Sequence, residues 1–236
     1  MQLADPPREQ AKRLAAEAAL ELVEDGMLLG IGSGSTVKYF ISGLGRLIDQ
    51  GFRLRGVASS KASAELARAA GISLQEEIDQ PLQLAVDGAD QIAPNLDLIK
   101  GGGGALLREK LVAMAAQRLV IIADESKLVS QLGLGHHCKV PVEVLSFLWR
   151  QTAERISSLG CQWELRGGLV SPFITDNGNL LLDLCWPGGV DNPAGQAAAL
   201  KAEAGVVEHG FFLGLASSCI VANSEGVLRS LGVPRG

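Results

Sequence analysis

The chain has 236 residues, of which 47% are hydrophobic and 20% are charged, proportions that are ordinary for a globular enzyme with a substantial core. The net charge of −5, the lack of basic runs longer than two residues and the 4% aromatic content argue against nucleic acid as a partner. No apolar run approaches the length of a membrane span, and no cationic segment followed by an apolar stretch begins the chain. We therefore expect neither a membrane anchor nor a signal peptide.

The first half of the chain alternates helical and apolar strand-like segments. Helices are predicted over 7–24, 36–49, 63–70 and 105–117, and short buried strands over 27–32, 54–58, 84–86 and 119–123. Continuous apolar strands separated by helices are typical of an open, mostly parallel sheet with helices on both faces. The sequence therefore predicts an α/β domain for this part.

The pattern changes near residue 133. Strands are predicted over 138–144, 162–165 and 180–184, helices near 147–158 and 193–202, and a hairpin turn over 175–179. These segments indicate a smaller α+β domain over 134–205. Strand-like runs over 210–215 and 219–223 are expected to return to the first sheet, so the catalytic α/β domain is predicted to comprise 1–133 and 206–236.

The four cysteines form no Cys-x-x-Cys pair, which predicts buried thiols in a reducing, cytoplasmic compartment; they are Cys138, Cys161, Cys185 and Cys219. The run from His136 to Cys138 could suggest a metal cluster. Adjacent residues on a strand point to opposite faces, however, and no further ligand is suitably spaced. We expect no metal there.

Small polar and charged residues follow each predicted strand of the first half. The four segments are Ser33-Gly34-Ser35-Thr36, Ser59-Ser60-Lys61, Asp87-Gly88-Ala89-Asp90 and Asp124-Glu125-Ser126-Lys127. Ligands of open parallel sheets bind outside the carboxyl ends of the strands. Because these segments share that edge, we expect a binding site there.

The segment from Gly30 to Thr36 is a glycine-rich turn that opens a helix. Ser35 stands where a dinucleotide fingerprint needs its third glycine, and no Gly-Lys-Ser/Thr follows as in a P-loop. Three hydroxyls at a helix start suit one phosphate monoester, with Lys127 as a counter-charge and Lys12 as a weaker candidate for that role. An ordinary N-cap with flexible glycines is the alternative.

Asp87 and Asp90 flank a Gly-Ala turn, and this spacing predicts two carboxylates on one side of it. Two close carboxylates favour proton shuttling or hydroxyl binding, because the proximity raises at least one pKa. The alternative is a turn that simply ends a strand.

Lys100 precedes four consecutive glycines, Gly101 to Gly104, and a predicted helix. Bare N–H groups beside a lysine predict a place that holds an anion. On the helix, Glu109 has no cation three or four residues away, which predicts a poorly solvated carboxylate with a raised pKa that can act as a base. A surface glutamate next to Lys110 is the alternative.

The sequence closely resembles the ribose-5-phosphate isomerase type A family. The matching runs are Gly-Ser-Gly-Ser-Thr at 32–36, Asp-Gly-Ala-Asp at 87–90, Lys-Gly-Gly-Gly at 100–103, Arg-Glu-Lys at 108–110, Ala-Asp-Glu-Ser-Lys at 123–127, Pro-Val-Glu-Val at 141–144 and Thr-Asp-Asn-Gly-Asn at 175–179. The resemblance covers nearly the whole chain. The family commonly has threonine, glutamate and alanine where this chain has Ser33, Gln91 and Gly104.

The resemblance implies interconversion of D-ribose 5-phosphate and D-ribulose 5-phosphate without metal or organic cofactor. It also implies a ferredoxin-like smaller domain and assembly into homodimers or homotetramers. Glu109 matches the general base, and Asp87, Asp90 and Lys100 match the other catalytic groups. The implied substrate contacts are those four segments' polar residues and backbone: Ser33, Gly34, Ser35, Thr36, Asp87, Gly88, Ala89, Asp90, Lys100, Gly101, Gly102, Gly103 and Lys127.

Two alternatives to the isomerase belong to other classes. A sugar-phosphate sensor without catalysis would need the phosphate turn but not Glu109 together with Lys100, and the segment before the first strand is too short and acidic for a DNA-binding module. An acyl-coenzyme A transferase would use Glu109 as a nucleophile, and hydroxylamine would trap its acyl intermediate.

Overall fold

The computed structural model describes residues 7–135 and 137–232, which divide into two compact units. Within the described part, the first unit comprises 7–89, 108–127 and 215–232, and the second comprises 90–107 and 128–214. The helices are α1 (Pro7–Leu20), α2 (Ser35–Asp49), α3 (Lys61–Ala69), α4 (Leu106–Met114), α5 (Trp149–Ser157) and α6 (Pro193–Ala202). A 3₁₀ turn covers Glu125–Lys127.

The strands are β1 (Leu28–Ile31), β2 (Arg55–Ala58), β3 (Ser73–Leu74), β4 (Leu84–Asp87), β5 (Gln91–Ile92), β6 (Leu98–Ile99), β7 (Leu119–Asp124), β8 (Val140–Val144), β9 (Gln162–Leu165), β10 (Leu180–Cys185), β11 (Val206–His209), β12 (Phe211–Phe212), β13 (Ser218–Ala222) and β14 (Leu228–Gly232).

The first unit is built on a seven-stranded sheet in the order β3-β2-β1-β4-β7-β13-β14. Every neighbouring pair is parallel except the antiparallel edge pair of β13 and β14. The order of the strands reverses between β1 and β4. In open sheets of this kind, the crevice outside the carboxyl ends of the strands at such a reversal is where ligands bind.

Apolar periodicity explains why the elements of the first unit form. Helix α2 buries Val37, Phe40, Ile41 and Leu44, a spacing that places all four side chains on one face of the helix. Strands β1 and β7 are buried along their whole length, as expected for central strands covered on both faces. This core holds the ends of β1, β4 and β7 in place.

The second unit contains a four-stranded antiparallel sheet in the order β11-β8-β10-β9. Its elements follow one another as β8, α5, β9, β10, α6 and β11, which is the β-α-β-β-α-β arrangement of ferredoxin-like domains. The small antiparallel sheet of β12, β6 and β5 also belongs to this unit. The predicted fold class, a mostly parallel α/β sheet plus a smaller α+β domain, is confirmed.

The compact units divide the chain at other points than the predicted domains. Residues 90–107, 128–133 and 206–214, expected in the first domain, lie in the second unit. Phe211–Phe212 pairs with β6 rather than with the first sheet, whereas Ser218–Ala222 does join that sheet beside β7. The apolar runs are short, and nothing local in them specifies which sheet they join.

The four cysteines are all free thiols, but only two of them match the predicted burial. Burial raises the pKa of Cys161 to about 11 and that of Cys219 to about 12. Cys138 and Cys185 are partly exposed, because one precedes β8 and the other ends β10. Burial, and then the neighbouring Cys138 thiol, raises the pKa of Cys185.

Over the described ranges, no helix is long and apolar enough to cross a membrane. The same residues contain no group of three or more His, Cys, Asp or Glu side chains that could hold a metal ion. His136, part of the motif considered for a metal, lies outside the described residues.

Candidate active site

The turn after β1 presents the N-terminus of α2 without a side-chain cap. Gly34 occupies the N-cap position with φ of 99° and makes no side-chain hydrogen bond to the helix. The N-caps of α3 and α6, by contrast, are Ser60 and Asn192, whose side chains accept from helix N–H groups. The first N–H groups of α2 are therefore oriented for an external anion, and they carry a partial positive charge. Gly34 and Ser35 are exposed, as such a role requires.

Backbone and carboxylate meet at the point where the strand order reverses. The Ser33 N–H, just after β1, donates to Asp87 Oδ1 at the end of β4 over 3.0 Å. The Gly88 N–H donates to the same oxygen over 2.7 Å. These two bonds fix the Asp87 carboxylate, which is only 4% exposed. The sequence therefore brings Ser33, Asp87 and Gly88 together, as the strand-end pattern predicts.

Glu109, in the first turn of α4, belongs to the same cluster. It is 5% exposed, so the predicted poor solvation is confirmed and the surface alternative is wrong. The Ser33 hydroxyl donates a short hydrogen bond to Glu109 Oε1. One residue thus links the phosphate-type turn to the carboxylate with the properties of a base.

Gly32 is required by this packing. A Cβ atom there would lie 2.1 Å from Asp87 Oδ1 and 2.6 Å from Asp87 Cα. We expect Gly32→Ala to displace Asp87, to lower the free energy of unfolding by about 1–3 kcal/mol and to reduce kcat by more than about tenfold. Urea denaturation and steady-state kinetics measure both effects.

Gly188→Ala is the matched control, because a Cβ at Gly188 would contact nothing within 4 Å. An unchanged kcat in a folded Gly32→Ala protein would contradict the importance of the Asp87 position.

Lys127 lies in the 3₁₀ turn after β7 and is partly buried. Its neighbour Ser126 donates through its hydroxyl to Asp124, and Arg8 Nε donates to Asp124 over 3.3 Å. Burial alone would raise the pKa of Asp124, but the hydrogen bond from Ser126 and the charge of Arg8 bring it below its usual value. Arg8, which the sequence reasoning missed, thus adds a cation at the carboxyl end of β7.

Lys12, the weaker phosphate candidate, is paired with a carboxylate. Its Nζ lies 2.6 Å from Glu9 Oε1, and Tyr39 donates to the other oxygen of Glu9 over 2.8 Å. The hydrogen bond from Lys12, and then that from Tyr39, holds the pKa of Glu9 below its usual value.

In the second unit, Lys100 is almost completely buried, with 2% of its surface exposed. Its N–H donates to Gly210 O over 2.9 Å, which fixes the backbone at the start of the glycine run. Its Nζ lies 5.3 Å from the centre of the Phe212 ring, a cation–π contact. A buried cation at this position can stabilise a developing negative charge.

The glycines after Lys100 form a tight turn closed by a hydrogen bond from Gly104 N to Gly101 O of 2.9 Å. Gly102 and Gly103 form its exposed tip. The Gly102 N–H donates to Asp90 Oδ2 over 2.7 Å, and a Cβ at Gly102 would lie 2.5 Å from Asp90 Oδ1. Asp90 therefore holds the turn, and glycine at 102 permits the close approach.

Residues 55–226 match the family model of ribose 5-phosphate isomerase A (phosphoriboisomerase A). A ribose-5-phosphate isomerase A of Bacillus mycoides is 48% identical over 92% of this chain and 97% of its own length. The chain belongs to the ribose-5-phosphate isomerase A family. A second relative, described as probable ribose-5-phosphate isomerase 3, chloroplastic, from Arabidopsis thaliana, is 42% identical over 93% of this chain and 82% of its own length.

Solved structures of family members share the fold. Ribose 5-phosphate isomerase from Plasmodium falciparum matches with a TM-score of 0.92 and 32% identity, over 96% of this chain and 100% of that one. A D-ribose-5-phosphate isomerase in complex with phospho-erythronic acid matches with a TM-score of 0.90 and 37% identity, over 96% and 99% of the two chains. These comparisons confirm the family resemblance and favour an isomerase over the sensor.

Two departures from the family pattern have local explanations. The Gln91 side chain accepts from Gly133 N over 2.7 Å and donates to Leu134 O over 2.6 Å, and an ionised glutamate could not make the second bond. At Gly104, φ is +87° and a Cβ would lie 2.5 Å from the Phe173 ring, so glycine suits this position in this chain.

Sequence reasoning also missed Arg166, whose guanidinium contacts the glycine turn. The residue lies 64 positions from Gly102, and only the Gly167-Gly168 pair after it marks an unusual turn.

Proposed function

We propose that this protein interconverts D-ribose 5-phosphate and D-ribulose 5-phosphate by proton transfer through an enediolate. The observation that carries the proposal is the buried Glu109, which accepts a hydrogen bond from Ser33 beside the uncapped start of α2. A phosphate turn and a desolvated base joined by one residue suit a sugar phosphate that must be held while a proton moves. Family membership supports the same reaction.

The phosphate is proposed to bind at the start of α2. The N–H groups and hydroxyls of Ser33 to Thr36 supply donors, and Lys127 supplies charge. The N–H groups at a helix N-terminus bind phosphate without a metal. Binding at this end holds the sugar in register for the chemistry at C1 and C2.

Ring opening precedes isomerisation, because the furanose has no free carbonyl group. Asp87 is the proposed acid/base group for this step. The N–H bonds from Ser33 and Gly88 keep its carboxylate in a fixed position. Asp90 is assigned a catalytic role by the resemblance, and its contact with Gly102 supports a part in holding the glycine turn.

Glu109 then removes the proton from C2 of the open-chain aldose and delivers a proton to C1, which converts the aldose to the ketose. The intermediate is an enediolate with negative charge on oxygen. Preorganised donors are worth most where such charge develops in a dry environment. Lys100 and the N–H groups of Gly101 to Gly103 are the proposed donors.

The test is an assay for ketose formation from ribose 5-phosphate with a chelator present. We expect full activity with the chelator, and a kcat/KM for unphosphorylated ribose that is lower by a factor of about 10² or more, since binding energy at the phosphate orients the sugar. Absence of ketose formation by the folded protein would contradict the proposed reaction. Loss of activity with the chelator would contradict only the prediction that no metal takes part.

We also propose a homodimer or homotetramer, as the resemblance implies. Exposed apolar side chains support this proposal, among them Phe147 with 78% and Leu148 with 54% of their surfaces exposed. Light scattering coupled to size exclusion measures the mass of the assembly. The cytoplasmic location expected from the cysteine pattern stays a prediction.

A further inference from the structure

Arg166 follows β9 and forms a two-point ion pair with Asp183 of β10. Its Nε donates to Asp183 Oδ2 over 2.9 Å, and its Nη2 donates a shorter bond to Oδ1. Only 18% of the arginine and 10% of the aspartate side chain are exposed. This fork-to-fork arrangement fixes the plane of the guanidinium and leaves Nη1 available for other acceptors.

The Nη1 atom of Arg166 holds two carbonyl groups of the glycine turn. It donates to Gly101 O and to Gly102 O, each over 3.0 Å. The Phe173 ring lies 5.8 Å from the guanidinium carbon and also fills the space beside Gly104. One side of the turn is therefore held by a planar, fully charged group.

Peptide planarity relates these carbonyl contacts to the opposite side of the turn. In a trans peptide, the carbonyl of one residue and the N–H of the next point in opposite directions. The Gly101 carbonyl points to Arg166, and the Gly102 N–H accordingly reaches Asp90 Oδ2 over 2.7 Å. The Gly102 carbonyl also points to Arg166, so the Gly103 N–H points away from the guanidinium.

The turn needs such a constraint, because consecutive glycines adopt both signs of φ at little cost. A peptide plane that flips exchanges its N–H for a carbonyl oxygen. A carbonyl oxygen presented to an enediolate would repel it, whereas an N–H would stabilise it. Sequence identity alone thus leaves the electrostatic sign of this turn open.

We propose that Arg166, oriented by Asp183, is a positioning residue that fixes the peptide planes at Gly101 and Gly102, so that the turn presents N–H groups to the enediolate. This inference rests on the proposed isomerase function. Arg166 does not touch the reacting atoms. Its effect is exerted through the glycine turn, and it is therefore expected in turnover rather than in substrate binding.

Arg166→Lys tests the proposal, because lysine keeps the charge but cannot bond Asp183 at two points and two carbonyls at once. We expect kcat to fall about 10²-fold, the loss typical of a misplaced catalytic group, with KM changed less than about threefold. The inhibition constant of phospho-erythronic acid, whose planar carboxylate resembles the enediolate, is expected to rise by at least about tenfold, which is part of the same loss.

Arg155→Lys is the matched control. Arg155 also pairs with a carboxylate, Glu203, and also donates to a carbonyl, Ala204 O, over 2.7 Å in the second unit. We expect its kinetics to equal those of the unmodified protein. Should Arg166→Lys fail to fold, Asp183→Asn provides the second test, and it should lower kcat with little change in KM.

A folded Arg166→Lys protein with kcat within threefold of the unmodified protein would overturn the inference. A rise in KM with unchanged kcat would also overturn it, since that result indicates a role in binding. If the unmodified protein does not isomerise ribose 5-phosphate, the proposed function fails instead, and the two failures are thereby distinguished.

Discussion

Glu109→Gln is expected to lower kcat roughly 10²–10⁴-fold, the contribution of a positioned general base, while the binding of ribose 5-phosphate changes little. Glutamine has nearly the same shape, and its carbonyl oxygen can still accept the hydrogen bond from Ser33. It cannot take a proton from C2. Steady-state kinetics give kcat, and calorimetric titration with ribose 5-phosphate gives Kd.

The control for this substitution is Glu65→Gln, at an exposed glutamate on α3 in the same unit. Its kcat should stay within twofold of the unmodified value. A loss of less than tenfold in Glu109→Gln would remove Glu109 from the role of base. Weakened binding with unchanged kcat would instead indicate that the carboxylate serves only to position the substrate.

Lys100→Met should have the next largest effect, a fall in kcat of about 10²–10³, the loss measured when one donor to a developing oxyanion is removed. Methionine fills the buried space and retains contact with the Phe212 ring. The fold should therefore persist, as a melting curve would show. The missing charge should raise the barrier to enediolate formation without a matching change in KM.

Lys201→Met provides the comparison for Lys100→Met. Lys201 lies in the same unit, is 54% exposed and forms its ion pair with Glu208 over 2.8 Å. Surface pairs of this kind contribute little, so kcat should be unchanged. If Lys100→Met kept more than a tenth of the unmodified kcat, Lys100 would not be the main source of stabilisation for the enediolate.

Local sequence was sufficient to predict the part of the candidate site that depends on strand ends. Ser33 and Asp87 follow β1 and β4, and the carboxyl ends of neighbouring parallel strands lie at the same edge of a sheet. Glu109 was predictable for a different reason. A helical glutamate without a cation one turn away lacks its usual exposed partner, and its burial agrees with that pattern.

Contacts between distant segments could not be predicted in the same way. The position of Arg166 depends on the pairing of β9 with β10, and only this register brings the guanidinium to Asp183 and the glycine turn. Phe211–Phe212 has the apolar pattern of a strand, but its partner β6 contains two residues and carries no recognisable signal. Short strands specify their partners through tertiary packing rather than through propensity.

The capping of α2 shows a further limit of sequence reasoning. A Gly-Ser-Gly-Ser-Thr run is compatible with a serine N-cap, as at Ser60 before α3. The structure instead places Gly34 at the N-cap, with a positive φ and no side-chain bond. That choice depends on the contacts of Ser33 with Asp87 and Glu109, which lie far away in sequence.

The central claim is that a proton, taken by Glu109, moves between C2 and C1 through an enediolate. The most direct measurement is NMR analysis of ribulose 5-phosphate formed in D₂O, with the reaction run over many turnovers to equilibrium. Transfer through a carboxylate predicts deuterium at C1 of the ketose and at C2 of the remaining aldose. Complete retention of the original hydrogen, as in a direct hydride shift, would contradict the account.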